Sequence, residues 1–192
     1  MTTCLYGLLW KGCDNVPQVQ GLNGLNRQLE RLQNIKPTVV KAVKTENLRV
    51  QRNAVLLCPS NHGELRHSIK TKTEATESMV TGTTYTNKEY AAYVEFGTGP
   101  LGQANHSGIT PEITPAYTQT SWWFPGKDVP EQDAAKYHWP KMTAKNGDVL
   151  YLTQGQPAQP FMYPAIKNNE QAIRNSIAGQ LRDGIIHAVS RR

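Results

Sequence analysis

Three side chains in one short stretch, Cys58, His62 and His67, have the chemistry to hold a metal or attack a carbonyl. Zinc takes thiolate and imidazole ligands, and this trio could fill three of its four positions. The spacing fits no standard structural zinc pattern, and the fourth ligand would have to come from afar. A Cys–His nucleophile pair uses the same residues, but nothing nearby announces an orienting base or an oxyanion hole. Glu95 is a further candidate, a carboxylate just before a glycine turn. General acid work needs a raised pKa and usually a second carboxylate, and Glu89 would lie far along a strand. A salt bridge from Glu95 to a neighbouring strand or subunit is the simpler expectation. Gly97-Thr98-Gly99-Pro100 lacks the Lys-Ser/Thr ending and the following helix of a phosphate loop. His106 and His138 stand alone in polar loops, where solvent is the natural neighbour. The residues therefore point to a non-enzyme, with no catalytic site, no cofactor and no metal.

The elements that carry these residues follow from periodicity. Tyr90 to Phe96 alternates, with Ala92, Val94 and Phe96 on one side and Ala91, Tyr93 and Glu95 on the other, which predicts a strand. Gly97 and Gly99 end it, because glycine takes left-handed backbone angles cheaply. Leu22, Leu25, Leu29 and Leu32 recur at helical spacing until Pro37 interrupts them. Val39, Val43, Val50, Ala54 and Leu57 then define a helix of roughly twenty residues, with Asn47 at the missing apolar step, closed by Cys58-Pro59. Ser60 to Ile69 reads as a turn and a short amphipathic segment. Ile69 to Thr73 and Ser78 to Thr84 read as strands joined by Glu74 to Glu77, close enough in sequence for antiparallel pairing. Pro160-Phe161-Met162-Tyr163-Pro164-Ala165 looks like the spatial partner of Tyr90 to Gly99. Pro164 suits a first helical turn, and Ile166, Ile173, Ile177, Leu181, Ile185 and Ala188 continue one helix to the C-terminus.

Residues 99–157 differ in composition. Seven prolines punctuate them, at 100, 111, 115, 125, 130, 140 and 157, and Trp122, Trp123, Phe124, Tyr137 and Trp139 are isolated apolar anchors. Only Asp148 to Thr153 reads as a strand. A loop this long is uncommon unless it binds something. An inter-subunit docking loop and a self-packed flap with a satellite core both fit.

The totals agree with a modest core. Over 192 residues the hydrophobic share is 38% and the aromatic share 8%, low for a self-sufficient globule, so neighbouring subunits are expected to contribute stability. The formal net charge is +6. Between residues 21 and 72, ten basic and three acidic side chains give ten minus three, or +7. Lys41, Lys44, Arg49 and Arg52 on the long helix form a face suited to DNA or to an acidic partner. A solvated lysine face is the bland alternative, and no interleaved aromatics support base stacking. Three cysteines without a CxxC pair fit reduced thiols. The run Cys4 to Trp10 is too short to span a bilayer and has no preceding basic residue, so cytoplasmic synthesis without a membrane role is expected. Leu5 to Trp10 reads as a short strand or a docking arm, against an ordinary flexible terminus.

Three blocks carry a resemblance: Leu65-Arg-His-Ser-Ile69, Tyr90-Ala-Ala-Tyr-Val-Glu-Phe-Gly-Thr98, and Pro160-Phe-Met-Tyr-Pro-Ala165. In this order before a terminal helix they resemble the gene-product-ten-like family of tailed-bacteriophage neck and tail-completion proteins. The resemblance covers about residues 21–98 and 158–190. It implies a structural virion protein at the neck, a ring-forming head–tail connector with copies of itself and neighbouring neck and tail proteins as partners. Non-specific contact with genomic DNA in the lumen and assembly in the host cytoplasm would follow.

The expectation is thus an α+β fold: a small, mostly antiparallel sheet covered on one face by the long helix and the C-terminal helix. Residues 1–20 form an arm, 21–98 and 158–192 one core domain, and 99–157 an extended loop inserted in it. Tyr93, Glu95, Phe96, Phe161 and Tyr163 are the expected core or subunit-interface residues. A basic nucleic-acid-binding module is the first rival, and a small metal-dependent hydrolase built on Cys58, His62 and His67 the second.

Overall fold

The computed structural model describes residues 22–33, 35–60, 63–127 and 129–190. The expected arm at 1–20 lies outside them. Helix α1 (Leu22–Gln33) follows the leucine spacing, and α2 (Lys36–Leu57) starts with Pro37 in its first turn, where a missing N–H is harmless. Cys58 is extended ahead of Pro59, and the long helix stops there. Gly63, in the left-handed region, precedes α3 (Glu64–Ser68), and β1 (Lys70–Ala75) and β2 (Val80–Tyr85) form an antiparallel hairpin. The expected turn is shifted slightly, to Thr76–Met79, where the Met79 N–H donates to Thr76 Oγ1 at 3.1 Å.

The hairpin lies on α2, and Asn47 decides how. This side chain interrupts the apolar stripe because its Nδ2 donates to the Lys72 and Thr83 carbonyls, at 2.9 and 3.2 Å. Its Oδ1 accepts from Thr84 Oγ1 at 2.8 Å, and Gln51 Nε2 donates to the Ile69 carbonyl at 2.7 Å. Gly82 brings the strand close, since a Cβ there would meet Val43 and Asn47 at 3.1–3.2 Å.

Residues 90–96 are not the expected strand. They form α4 (Ala91–Phe96), and its buried residues, Ala91 and Glu95, are four apart. The same short run satisfies both periods, and a six-residue apolar segment cannot be assigned by periodicity alone. Alanine and glutamate favour the helix, and Gly97, with φ +75°, ends it.

Residues 99–157 also depart from the expected loop. They contain α5 (Gly99–Ala104), β3 (Trp122–Pro125), α6 (Glu131–Lys136), β4 (Lys141–Thr143) and β5 (Val149–Thr153). The three strands form an antiparallel sheet in the order β3-β5-β4. Phe124 meets Trp139 edge-on at 5.1 Å, and Tyr151 lies 6.0 Å from Phe124 and 6.3 Å from Trp139, so the aromatics pack on one another. β3 and β4 are too short to show a period, and β3 finds its partner β5 only after α6 and β4.

The C-terminal pattern is split into α7 (Met162–Lys167) and α8 (Glu170–Ser190), separated at Asn168-Asn169. Asn169 Nδ2 donates to the Ala165 carbonyl at 2.9 Å across the break. The main contacts of α8 are with α2 and α1, not with the hairpin that it was expected to help cover. Ser176 Oγ reaches Glu46, and Gly184 lies against Thr38, so α8 runs antiparallel to α2. The fold class is α+β as expected, with helix α2 held between a hairpin and a second helix.

The main core joins Val50, Ala54 and Cys58 of the α2 end to Leu65, Ile69, Ala91, Phe161 and Ala165. Phe161 is its largest fully buried side chain. Phe161→Ala should therefore cost about 3–5 kcal/mol, with the cavity contributing alongside the lost transfer energy. Urea unfolding followed by circular dichroism measures it, and an unchanged midpoint would refute this packing.

Candidate assembly site

Glu95 is 6% exposed and its carboxylate faces the start of α7. Oε2 accepts from the Phe161 and Met162 N–H groups at 2.7 and 2.9 Å, and Oε1 accepts from Tyr163 N–H at 3.0 Å. The first N–H groups of a helix have no partner within it. Here Pro160 and Pro164 have no N–H at all, so the three donors between them are the complete set for that stretch. One carboxylate accepts all three. The expected salt bridge from Glu95 to another strand or subunit is replaced by this cap, which is chemically a structural role.

Backbone pairing reinforces the contact. Gln159 N–H donates to the Val94 carbonyl at 2.8 Å, and Thr98 and Gln156 exchange N–H···O bonds at 2.9 and 3.1 Å. Gln156 Nε2 donates to the Tyr93 carbonyl at 2.8 Å. The two chains cross so closely at Thr98 and Gly155 that a Cβ on Gly155 (φ +86°) would overlap the Thr98 carbonyl. Gly99 serves the same approach, as a Cβ there would meet the Gln154 carbonyl at 2.6 Å. A short helix does follow Gly97-Thr98-Gly99, contrary to expectation, but α5 has six residues and no lysine. Nothing in it makes a phosphate loop.

The five expected core or interface residues do not share one environment. Glu95 and Phe161 are buried, Phe96 and Tyr163 half-buried, and Tyr93 is 59% exposed. Lys41, Lys44, Arg49 and Arg52, the expected basic face of α2, are all exposed. Arg49 differs from the rest, because its Nε lies 2.9 Å from Glu46 Oε2. Glu46, almost fully buried, also accepts from Ser176 Oγ at 2.7 Å and so links α2 to α8. Its Oε2 meets Arg49 as an ion pair without good hydrogen-bond geometry. Asn47 and Glu46 were missed as structural polar residues; the gap in the apolar stripe at Asn47 was the available signal.

Among the described residues no group of three or more His, Cys, Asp or Glu could hold an ion. His62 lies outside them. Cys58 is buried in the core and its Sγ donates to the Pro59 carbonyl at 3.4 Å, whereas His67 is exposed. His106 is less solitary than expected: its ring stacks on Tyr117 at 5.9 Å. Burial pushes the Cys58 thiol above its ordinary pKa, a shift that Arg66 opposes and Glu95 reinforces.

Helix on hairpin, clasped by a buried carboxylate and fringed with exposed apolar side chains, defines the described part of the chain as an α+β protein. Residues 23–97, less than half of the chain, match the family model described as "Bacteriophage HK97-gp10, putative tail-component". The match runs from α1 to the end of α4 and takes in the first two sequence blocks, leaving Pro160 to Ala165 outside it. Neither a curated protein nor a solved structure matches significantly. Among the described residues no helix is long and apolar enough to cross a membrane.

Two outcomes are expected. Glu95→Gln places an amide NH₂ against backbone donors and should cost about 1–3 kcal/mol, with Glu95→Ala costing more, measured as a shift in the urea midpoint. Alkylation mapped by mass spectrometry should find Cys58 protected in the native protein and reactive in urea. Because its folded pKa is raised, Cys58 favours folding below the unfolded thiol pKa of about 8.5, and its contribution falls as pH rises beyond that.

Proposed function

We propose that this protein is a structural component of a tailed-bacteriophage virion, a ring-forming neck protein of the head–tail connector or tail-completion type. One observation supports this reading beyond the family match: α8, 21 residues long, has no fully buried residue. Ile185, Ile186 and Val189 are 40–55% exposed on it, and Leu25 and Leu29 of the adjoining α1 are about as exposed. Single exposed apolar residues are normal, but two packed helices that both leave them uncovered suit a surface finished by another subunit. A repeated heterologous contact closes into a ring when its rotation divides the full circle.

In this reading the 99–157 segment docks on neighbouring subunits or neck proteins, with Tyr93 and Tyr163 at the contact edge and Glu95, Phe96 and Phe161 supporting it from within. Lys41, Lys44 and Arg52 are exposed, and none of them has an acidic partner among the described residues. They and the half-neutralised Arg49 would face a polyanion, either DNA in the lumen or an acidic neighbour. The protein would reside in the virion after assembly in the host cytoplasm. Native mass spectrometry and axial electron-microscope views should show a closed ring of several copies. A monomer at every concentration, alone and with its neck partners, would refute the assignment.

A further inference from the structure

A groove of about 660 Å³ separates α4 from residues 115–122, and its walls include Tyr90, Tyr93, Phe96, Pro115, Tyr117 and Trp122. Tyr117 OH donates to the Phe96 carbonyl at 2.8 Å and pins one wall to α4. Gln156, hydrogen-bonded to the Tyr93 carbonyl, ties down another part of the lining. The groove is therefore held open by fixed contacts, while Tyr93 and Tyr90 remain 59% and 41% exposed at its mouth. The six named walls carry no charge. Such a surface suits an uncharged, apolar, aromatic-bearing occupant.

The chain itself contains one, Leu5-Tyr6-Gly7-Leu8-Leu9-Trp10, which precedes the described residues and has no charged side chain. Burying each large side chain of such a segment contributes roughly 1.5–3 kcal/mol. Eleven residues, 11–21, join it to α1 and span at most about 36–40 Å when extended. α1 packs on α8, and neither helix lines the groove. We propose that Leu5–Trp10 of one copy docks in the aromatic groove of a second copy. The inference rests on the ring reading above and supplies it with a head-to-tail contact, since the two surfaces differ.

The test is a disulfide trap in the full-length chain carrying Cys13→Ser and Thr118→Cys, where Thr118 is an exposed groove residue and the native Cys4 adjoins the docking segment. Cys58 is buried and does not compete. Oxidation with oxidised glutathione should give interchain ladders on a non-reducing gel, with the Cys4 linkage confirmed by peptide mass. Trp10→Glu should slow the trapping roughly tenfold or more, and so should Tyr93→Glu at an exposed site that leaves the core intact. An intrachain link, or trapping unaffected by Trp10→Glu, overturns the inference. No link in a particle of intact ring mass overturns it and leaves the ring standing, whereas no link in a monomer removes both.

Discussion

One carboxylate governs how this chain closes. Residues 160–164 contain two prolines and three N–H groups, and all three groups point at Glu95. A helix start buried without acceptors is strongly disfavoured, so the C-terminal third can dock only where α4 presents that side chain. Docking there seats Phe161 in the core beside Ala54, Cys58 and Leu65. It also sets the crossing at Thr98 and Gly155, from which residues 99–153 leave and return. The apolar core and the polar cap are thus one constraint, met by residues 66–68 positions apart in the sequence.

The second organising element is α2, which presents different chemistry on different sides. Asn47 and Gln51 offer hydrogen bonds to the hairpin, while Glu46 reaches α8 through Ser176. A lone two-stranded hairpin is marginal in water, and these side-chain bonds to its backbone supply what strand pairing alone does not. Val50 and Ala54 of α2 enter the core, and its exposed side carries lysine and arginine. Among the described residues, ion pairing there is Arg49 with the buried Glu46, where desolvation offsets much of the attraction. The side chain's main effect is to fix how α8 lies, antiparallel on α2.

The core is small, and much apolar surface stays at the exterior. α8 touches α2 and α1 with half-buried residues only, and it leaves Ile185, Ile186 and Val189 exposed. The aromatics of residues 122–153 pack on one another, as a satellite core would. The family match over residues 23–97 lies on α1 to α4, the helix-and-hairpin unit, and the three-stranded sheet lies outside it.

Much was legible in the amino-acid order. Leucine and valine spacing located α1 and α2, Pro37 and Cys58-Pro59 placed the boundaries of α2, and the Thr-rich runs announced the hairpin. Those signals are local, because each depends on side chains a few residues apart. The pairing of Tyr90 to Gly99 with Pro160 to Ala165 was also readable as motif, though not as chemistry. What tertiary structure alone decided was the helical state of residues 91–96, the break at Asn168-Asn169 and the sheet made of β3, β5 and β4. Ala91 to Phe96 fits a strand and a helix equally well until Glu95 must meet three remote N–H groups. A three-residue strand such as β4 has no period to read, and it exists only because β5 lies beside it.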